Sequence, residues 1–334
     1  MIEKRTPIPV FEAAARVSQH QKLGDAEWIH LEESLHRFLA EDVKADHDVP
    51  AFDRSPYDGF AVRACDTAGA SGENPLQFEV VDHIGAGAVS DKKLGSFQAV
   101  RIMTGAQIPE GADAVVMLEL TKTFSEDGKN YMVLKRSLQP GENISKTGED
   151  ARKGSVLVKK GTRITPGVVA LLATFGYAAV PAVKKPVVGI IATGTELLNV
   201  SDPLVPGKIR NSNAGMAAAQ VEESGGKPLY LGKISDQFDE SFAAVEKALD
   251  KVDFLITTGG VSVGDFDFLP AIYEKLGAEV LFNKVAMRPG SVTTVAQLNG
   301  KLLFGLSGNP SACFVGFELF VKPSLRTWLH HPKP

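Results

Sequence analysis

The sequence has few cysteines, no long apolar run and no strong excess of charge, and each absence excludes a class of protein. Its 334 residues include only Cys65 and Cys313, so we expect neither a disulfide framework nor a cysteine metal cluster. No apolar run is long enough to cross a membrane, and residues 1–10 lack the apolar core of a signal peptide. The formal net charge of −4 implies no basic face for nucleic acid. We therefore expect a cytoplasmic protein in a reducing compartment.

Several catalytic signatures are also missing. The sequence contains neither a Walker phosphate loop nor a Gly-x-Ser-x-Gly nucleophile elbow. The seven histidines show no metal-ligand spacing, and neither cysteine has a nearby histidine in sequence. Chemistry based on glycine-rich loops, carboxylates and cations fits the sequence better than nucleophilic or zinc catalysis.

The most informative stretch is the glycine-rich turn over residues 257–267, TTGGVSVGDFD. The apolar run 253–258 before it predicts a strand, and residues 267–276 after it predict a helix. Glycines allow close approach of a ligand, and free N–H groups at a helix start attract anions. Asp265 and Asp267 would repel a bare phosphate, which favours a divalent cation between acid and phosphate. A tight turn with Asp267 as helix N-cap is the structural alternative.

The order of predicted elements gives a multi-domain α/β plus β fold. Alternating strands and helices over residues 186–329 predict a mostly parallel sheet with right-handed crossovers. Short alternating runs over residues 76–138 predict a small inserted all-β domain. Residues 9–24 predict an amphipathic helix and residues 31–39 a second one. Asn299-Gly300 is a strong signal for a two-residue hairpin turn.

Polar residues follow every predicted strand of the α/β region. Because ligands bind beyond the carboxyl ends of parallel strands, we expect these residues to meet at one rim. Glycines and cations can hold a phosphate or another oxyanion there, and carboxylates can hold magnesium. A helix is also predicted over residues 212–224, with Ser212 or Asn213 as its N-cap. The rim residues are Thr193, Thr195, Glu196, Asp236, Ser262, Asp265, Asp267, Lys284, Arg288, Ser291, Ser307, Asn309 and Ser311.

Six motifs, in order along most of the chain, resemble the molybdopterin molybdenumtransferase family, which includes bacterial MoeA and the related E domains of gephyrin and of its plant counterpart. The motifs are Ser55–Ala61 (SPYDGFA), Arg101–Ala106 (RIMTGA), Ala112–Val116 (ADAVV), Gly189–Leu197 (GIIATGTEL), Thr258–Asp265 (TGGVSVGD) and Gly305–Pro310 (GLSGNP).

The resemblance implies an elongated homodimer built from several domains. It implies an N-terminal helix over residues 1–25 that packs on a three-layer α/β molybdopterin-binding domain over residues 186–329. A small mixed central domain would comprise residues 26–45 and 147–185, and the inserted β domain residues 46–146. Members of the family usually have a further C-terminal β domain, for which we expect no counterpart in this sequence, which ends at Pro334.

The resemblance also implies a reaction. Molybdate would be inserted into adenylated molybdopterin, and magnesium-dependent hydrolysis would release AMP and molybdenum cofactor. Implied partners are a molybdopterin adenylyltransferase and downstream cofactor-maturation proteins, with no nucleic acid and no membrane.

Site residues follow by position in the motifs. The implied catalytic residues are Asp58, Thr104, Glu196, Asp236 and Asp267, with Glu196, Asp236 and Asp267 as magnesium ligands. Asp58 and Thr104 would face the cleft of the partner subunit. The implied substrate-binding residues are Thr193, Gly194, Asn213, Gly259, Gly260, Ser262, Gly264, Asp265, Lys284, Arg288, Ser291, Ser307 and Asn309.

Two departures from the family pattern concern anion binding. Lys284, Arg288 and Ser291 are implied at the molybdate site, but many relatives carry lysine at the latter two positions. Many also carry proline at the position of Ser307. Arginine keeps the positive charge with a different geometry, whereas serine removes one charge.

Two other functions fit part of the sequence. The glycine-rich turn alone also fits a molybdopterin adenylyltransferase of the same superfamily, such as MogA. A gephyrin-like, non-catalytic scaffold is the second alternative. The additional domains and the Asp58 loop favour the transferase.

Overall fold

The computed structural model describes residues 6–234, 237–260 and 269–332. The chain forms two compact units. Residues 1–43 and 158–334 form the first, which we call the discontinuous unit, and residues 44–157 form the second, the inserted unit. Among the described residues, no helix is long and apolar enough to cross a membrane.

The α-helices formed by the described residues lie in the discontinuous unit, whereas strands occur in both units. The helices are α1 (Val10–Ser18), α2 (Pro166–Thr174), α3 (Ser212–Glu223), α4 (Phe238–Leu249), α5 (Leu269–Lys275), α6 (Pro310–Gly316) and α7 (Lys322–Trp328), with a π-helical turn at Phe317–Val321 between the last two and short 3₁₀ turns at Leu31–Glu33, Ala64–Thr67 and Leu118–Leu120. The strands are β1 (Ala26–His30), β2 (Val43–Lys44), β3 (Gly59–Val62), β4 (Leu76–Ile84), β5 (Gln98–Ile102), β6 (Ala114–Met117), β7 (Thr121–Glu126), β8 (Lys129–Leu134), β9 (Val156–Val158), β10 (Ala179–Val183), β11 (Val187–Thr193), β12 (Leu197–Leu198), β13 (Ile209–Arg210), β14 (Lys227–Ile234), β15 (Phe254–Thr258), β16 (Glu279–Phe282), β17 (Thr294–Leu298) and β18 (Lys301–Leu306).

A six-stranded sheet organises the discontinuous unit. Its strand order is β14-β11-β15-β18-β17-β16. Strands β14, β11, β15 and β18 are parallel, whereas β17 runs antiparallel to β18 and β16 antiparallel to β17. The mostly parallel sheet predicted from the sequence is therefore confirmed. The four parallel strands end at the same edge, which places the loops after Thr193, Thr258 and Leu306 side by side.

Helices cover both faces of this sheet, and each face has its own apolar core. On one face, α1, α3 and the α6–α7 segment contribute buried residues such as Val17, Val221 and Phe317, which pack on Ile190 and Ile256. On the other face, α4 and α5 pack on the alternate strand residues. This is the three-layer arrangement expected from strands and helices that alternate along the chain.

The hairpin predicted at Asn299-Gly300 is present. These two residues connect β17 and β18, and their φ angles are 51° and 75°. Two consecutive positive φ angles are the mark of a type I′ turn, which the Asn-Gly pair favours.

The inserted unit is built on a second six-stranded sheet, of order β6-β3-β5-β4-β8-β7. All neighbours are antiparallel except β4 and β5. Residues 44–157, all of which the structure describes, contain no α-helix, as the β texture of the sequence predicted. The sheet has a buried cluster on each face, one around Phe60 and Phe78 and the other around Val100 and Val115.

The helix predicted over residues 31–39 is wrong. Only a short 3₁₀ turn forms, at Leu31–Glu33, and His36 has a positive φ of 65°. Phe38 and Leu39 form isolated bridges with Arg163 and Ala182. Long-range backbone pairing therefore replaces the local hydrogen bonds of a helix in this segment.

Other elements differ from the sequence expectations in their limits. Helix α1 ends at Ser18 rather than near residue 24. The N-cap of α3 is Asn211, not Ser212 or Asn213, and its side chain accepts a hydrogen bond from Ala214 N. Strand β7 (Thr121–Glu126) was not predicted, because its mostly polar residues give no apolar alternation. The separate central domain of residues 26–45 and 147–185 stays a prediction.

Candidate functional site

A cleft of about 360 Å³ lies at the carboxyl ends of the parallel strands in the discontinuous unit. This volume is at the small end of ligand pockets in proteins. The cleft brings together seven of the residues that the sequence predicted for the site, namely Thr193, Gly194, Glu196, Asn213, Gly259, Gly260 and Ser307. The rule that ligands bind at this edge of a parallel sheet therefore located the cleft correctly.

Glycine is required where β11 and β15 meet. Gly259 has a φ of +92°, and a Cβ atom there would lie 2.7 Å from both the carbonyl oxygen and Oγ1 of Thr193. Gly260 has a φ of +68°, and its Cβ atom would lie 3.0 Å from the same hydroxyl. Gly259 N donates to Leu306 O at 2.9 Å, which ties the loop to strand β18. The backbone at the floor of the cleft is therefore tightly packed, with no room for side chains at these positions.

The start of α3 forms one wall of the cleft. Asn213 Nδ2 donates to the carbonyl oxygen of Gly308 at 2.8 Å, and this bond joins the wall to the loop after β18. The Asn213 side chain is only 8% exposed. Its Oδ1 atom is buried and has no hydrogen-bond partner among the residues that the structure describes. A buried acceptor without a partner is costly, so this atom is suited to accept a hydrogen bond from a ligand.

Two cations near the cleft were not among the predicted site residues. Arg210 lines the cleft, and its Nε and Nη2 atoms donate to Asp202 O at 3.2 and 3.1 Å. Lys208 Nζ donates to Thr195 O at 2.6 Å. The signal that could have located them is the sequence KIRN immediately before a predicted helix start, because cations beside a helix N-terminus favour bound anions.

Glu196 is the candidate magnesium ligand that the structure places in the cleft. Its carboxylate lies against Gly194, where a Cβ atom would be 2.4 Å from Oε2. Within the described residues, this carboxylate has neither an ion pair nor a hydrogen bond. An unpaired carboxylate at the rim of a ligand cleft fits a cation.

Ser307 and Asn309 have different surroundings although both follow β18. Ser307 lines the cleft, whereas Asn309 is not among the lining residues. Asn309 Oδ1 accepts a hydrogen bond from Ala312 N at 3.2 Å and caps helix α6. The structure therefore gives the Asn309 side chain a capping role and no contact with the cleft.

The three residues predicted for molybdate lie together in a depression of their own. Lys284, Arg288 and Ser291 line it with Pro7, and its volume is about 530 Å³. The N-terminal segment supports this loop, since Ile8 N donates to Lys284 O at 3.2 Å and Ala286 N donates to Ile8 O at 2.8 Å. Two cations and a hydroxyl group in one depression suit an oxyanion.

Asp58 and Thr104 are neighbours in the inserted unit. Both the backbone N and Oγ1 of Thr104 donate to Asp58 Oδ1, at 2.7 and 2.8 Å. These hydrogen bonds, first that of the backbone, hold the pKa of the Asp58 carboxyl below its usual value. The resemblance implied that both residues face the same cleft, and the structure shows that their side chains meet.

Thr195 and Ser311 are described but do not line the cleft, and five other predicted residues lie outside the described part of the chain. These are Asp236, Ser262, Gly264, Asp265 and Asp267, and with them the alternative role of Asp267 as a helix N-cap. Among residues 6–234, 237–260 and 269–332, no group of three histidine, cysteine or acidic side chains could hold a metal ion. Of the three predicted magnesium ligands, the structure therefore locates Glu196 alone.

Two family models together match most of the chain. Residues 8–176 match "MoeA N-terminal region (domain I and II)", and residues 189–327 match "Probable molybdopterin binding domain". The cleft lies in the second of these regions.

Known relatives match along nearly the whole sequence. The molybdopterin molybdenumtransferase of Bacillus subtilis (strain 168) is 78% identical over 334 residues, which is 100% of this chain and 78% of the relative. That of Staphylococcus aureus (strain COL) is 56% identical over 326 residues, 98% of this chain and 77% of the relative. The crystal structure of the molybdopterin biosynthesis MoeA protein from Pyrococcus horikoshii superposes with a TM-score of 0.87 at 34% identity, covering 98% of this chain and 81% of that chain.

Proposed function

Because this chain belongs to the molybdopterin molybdenumtransferase family, we propose that it inserts molybdate into adenylated molybdopterin and releases AMP and molybdenum cofactor. The observation that carries the proposal is the cleft at the carboxyl ends of β11, β15 and β18. It combines a close-packed glycine backbone with the buried amide oxygen of Asn213, which lacks a partner in the described part of the chain.

Each wall of this cleft has a role in holding the substrate. The backbone at Gly259 and Gly260 comes close to the pyrophosphate group, because no side chain intervenes. Arg210, at the rim, supplies a positive charge for the same group. Asn213 Oδ1 accepts a hydrogen bond from the pterin, whose ring N–H and amino groups are donors. Thr193 and Ser307 add hydroxyl groups on either side of the glycines.

Glu196, Asp236 and Asp267 are the proposed ligands of magnesium. The exposed Glu196 carboxylate has no competing partner in the described residues, which fits a hard cation with oxygen ligands. Bound magnesium would neutralise negative charge on the phosphates at which the adenylate bond is hydrolysed. Glu196 lies on the turn after β11, so its carboxylate is at the rim of the cleft, where it would hold magnesium beside the phosphates.

Lys284, Arg288 and Ser291 are the proposed molybdate residues. The two cations attract the oxyanion, and the arginine fork can donate two parallel hydrogen bonds to its oxygens. The segment at Ile8 holds the Lys284 loop in place through two backbone hydrogen bonds. A fixed loop loses less entropy when the anion binds.

Asp58 and Thr104 are proposed to complete the site from the partner subunit in a homodimer. A carboxyl group with a lowered pKa is ionised at neutral pH, so Asp58 acts as a fixed negative charge. We place the reaction in the cytoplasm, which the two free thiols support, since a reducing compartment keeps thiols unpaired.

The test is AMP release from adenylated molybdopterin by the purified chain with magnesium, measured with and without molybdate. We expect molybdate-dependent release of AMP together with formation of molybdenum cofactor. Synthesis of adenylated molybdopterin from ATP would instead identify an adenylyltransferase. Tight substrate binding with no AMP release under any condition would contradict the transferase and favour a scaffold.

A variant of the proposed molybdate site sharpens this test. Lys284→Ala should raise the molybdate concentration that gives half-maximal AMP release, because it removes a cation from the depression that Arg288 and Ser291 also line. Lys93→Ala is the control, since Lys93 pairs with Glu110 on the exposed surface of the inserted unit. An unchanged molybdate dependence of AMP release in Lys284→Ala would count against the assignment of the molybdate site.

A further inference from the structure

A groove of about 390 Å³ opens on one face of the inserted sheet, and no role proposed above uses it. All of its lining residues fall between Phe60 and Tyr131, so the groove belongs entirely to the inserted unit. Its shape and lining can therefore be considered without reference to the cleft of the discontinuous unit.

Strand register brings an aromatic ring and two basic side chains together on one wall. Phe60 on β3 is directly opposite Arg101 on β5, and His83 on β4 is directly opposite the same arginine. Residues that are directly opposite share a face of the sheet, so the three side chains form one row across three strands. All three line the groove, and Val80 of β4 adds an apolar surface beside them.

Arg101 is held in place but its charge is not paired. Its guanidinium lies over the Phe60 ring, with Cζ 5.1 Å from the ring centroid. Its Nε atom is buried and has no hydrogen-bond partner within residues 6–234, 237–260 and 269–332. Three other arginines of this unit form ion pairs, Arg54 with Asp150, Arg63 with Asp66 and Arg136 with Glu142. Arg101 has no such pair within the residues that the structure describes, although burying a charged donor without a partner is costly.

The positive charge of Arg101 lowers the pKa of Asp58, but the Asp58 carboxylate accepts its hydrogen bonds from Thr104. The charge of Arg101 is the weakest of the effects that lower the Asp58 pKa, after the two hydrogen bonds from Thr104. Those bonds engage Asp58 Oδ1 at 2.7 and 2.8 Å. Arg101 therefore retains donor capacity toward the groove.

The lining residues of β7 and β8 form the other wall, which supplies polar groups and two aromatic rings but no acid. They are Thr123, Phe124 and Ser125 on β7 and Asn130 and Tyr131 on β8. Ser125 Oγ donates to Asn130 Oδ1 at 2.7 Å, which leaves the Asn130 NH₂ group as a donor. No aspartate or glutamate lines the groove, all of whose lining residues the structure describes. Donors on both walls and an unpaired cation make the groove complementary to an anion.

We propose that this groove is a binding site for the phosphate or carboxylate group of a small metabolite. Arg101 holds the anionic group, His83 and the Thr123 hydroxyl contact its oxygens, and Phe60 and Val80 support its apolar part. Phosphate and carboxylate share the chemistry that the groove recognises, which is two or more oxygen acceptors that carry negative charge. The site does not depend on the reaction proposed for the cleft of the discontinuous unit.

The test follows the imidazole of His83 by NMR in the full chain labelled at histidine, with the resonance assigned through His83→Gln. Sodium phosphate and sodium acetate are titrated separately at constant pH, with sodium chloride to keep the ionic strength constant. We expect a saturable shift of this resonance with at least one of the two anions, and the one that binds more tightly identifies the group. The reporter lines the groove, and Arg101, which one of the variants below replaces, lines the groove but not the cleft of the discontinuous unit.

Matched variants show whether Arg101 is responsible for binding the anion in the groove. Arg101→Gln should weaken it by about tenfold or more, because a charge-assisted bond is replaced by a neutral one. Lys122→Gln removes the same charge from strand β7 without altering the lining, and should change the affinity by less than about twofold. Thr123→Val, which removes only a hydroxyl group, should weaken binding by about threefold and is the test if Arg101→Gln does not fold. A His83 resonance that neither anion shifts, or equal losses in Arg101→Gln and Lys122→Gln, would overturn the proposal.

Discussion

At the scale of single residues, the pair Asp58 and Thr104 shows how hydrogen bonds set an ionisation state. The Asp58 carboxyl is exposed, so burial, which would raise its pKa, has little effect, and the two donors of Thr104 lower the pKa. A carboxyl whose pKa is lower in the folded state than in the unfolded state stabilises the fold above the unfolded pKa. That contribution is lost as the pH falls through the folded pKa.

Thr104→Val should therefore raise the pKa of Asp58 only part of the way to its usual value. The variant removes the hydroxyl donor, whereas the backbone N–H, which has the larger effect, remains. An NMR titration of the carboxyl carbons measures the change. Asp53 is an internal control, because Lys146 and Thr147 lower its pKa independently of Thr104. An unchanged Asp58 pKa in Thr104→Val would mean that the Thr104 hydroxyl does not lower this pKa.

At the scale of elements, the cap of α6 decides between two roles for Asn309. Asn309→Ala should lower the free energy of unfolding by roughly 1 kcal/mol, because Ala312 N loses its acceptor at the helix start. Asn309→Asp should unfold at nearly the wild-type urea concentration, since aspartate is an equally good N-cap. If Asn309→Asp kept its stability but lost affinity for substrate, the binding role predicted from the sequence would be correct.

Helix α1 provides a second prediction at this scale. Its Ala13 and Val17 side chains are 0% and 1% exposed and join the core on one face of the sheet. Arg16 Nη1 also donates to Leu281 O at 2.8 Å. Val17→Ala should lower the free energy of unfolding by roughly 2 kcal/mol, the cost of two buried methyl groups and the space they leave.

The matched control for Val17→Ala is Phe11→Ala on the same helix. Phe11 is 78% exposed, so its truncation should change the free energy of unfolding by less than about 0.5 kcal/mol. Urea unfolding of the two variants measures both values. Similar, small effects would show that α1 is not part of the core of this unit.

Some elements of the fold could be predicted from the sequence, and others could not. Buried parallel strands such as β11 and β15 are continuous apolar runs, so the sheet and the edge that carries the cleft could be predicted. The segment at residues 31–39 could not, because its backbone partners, near Arg163 and Ala182, are distant in sequence.

The individual contacts of the cleft could be predicted less well. Asn309 and Asn211 are both asparagines before a helix, and only their geometry shows that each caps a helix. Arg210 enters the cleft through the short strand β13, whose pairing with β12 leaves no periodic pattern in the sequence. The role of Asn213 depends on a buried oxygen that has no partner in the described residues, which the sequence cannot show.

At the scale of the whole molecule, the proposed homodimer should survive the loss of Asp58. Asp58→Ala should reduce turnover strongly while the mass in solution stays at twice 35.7 kDa, because an exposed loop carboxylate does not hold a core together. Light scattering and AMP release measure the two properties. A monomeric Asp58→Ala variant would give this residue a structural role in the interface.

The central claim is that the cleft at the carboxyl ends of β11, β15 and β18 binds the molybdopterin substrate. The most direct measurement is the affinity of Gly259→Ala for adenylated molybdopterin, compared with that of Gly72→Ala. A Cβ atom at Gly259 would collide with the Thr193 backbone, whereas at Gly72 it would meet nothing within 4 Å. We expect Gly259→Ala to bind at least about tenfold more weakly, and Gly72→Ala to bind normally. Wild-type affinity in a folded Gly259→Ala variant would contradict the claim.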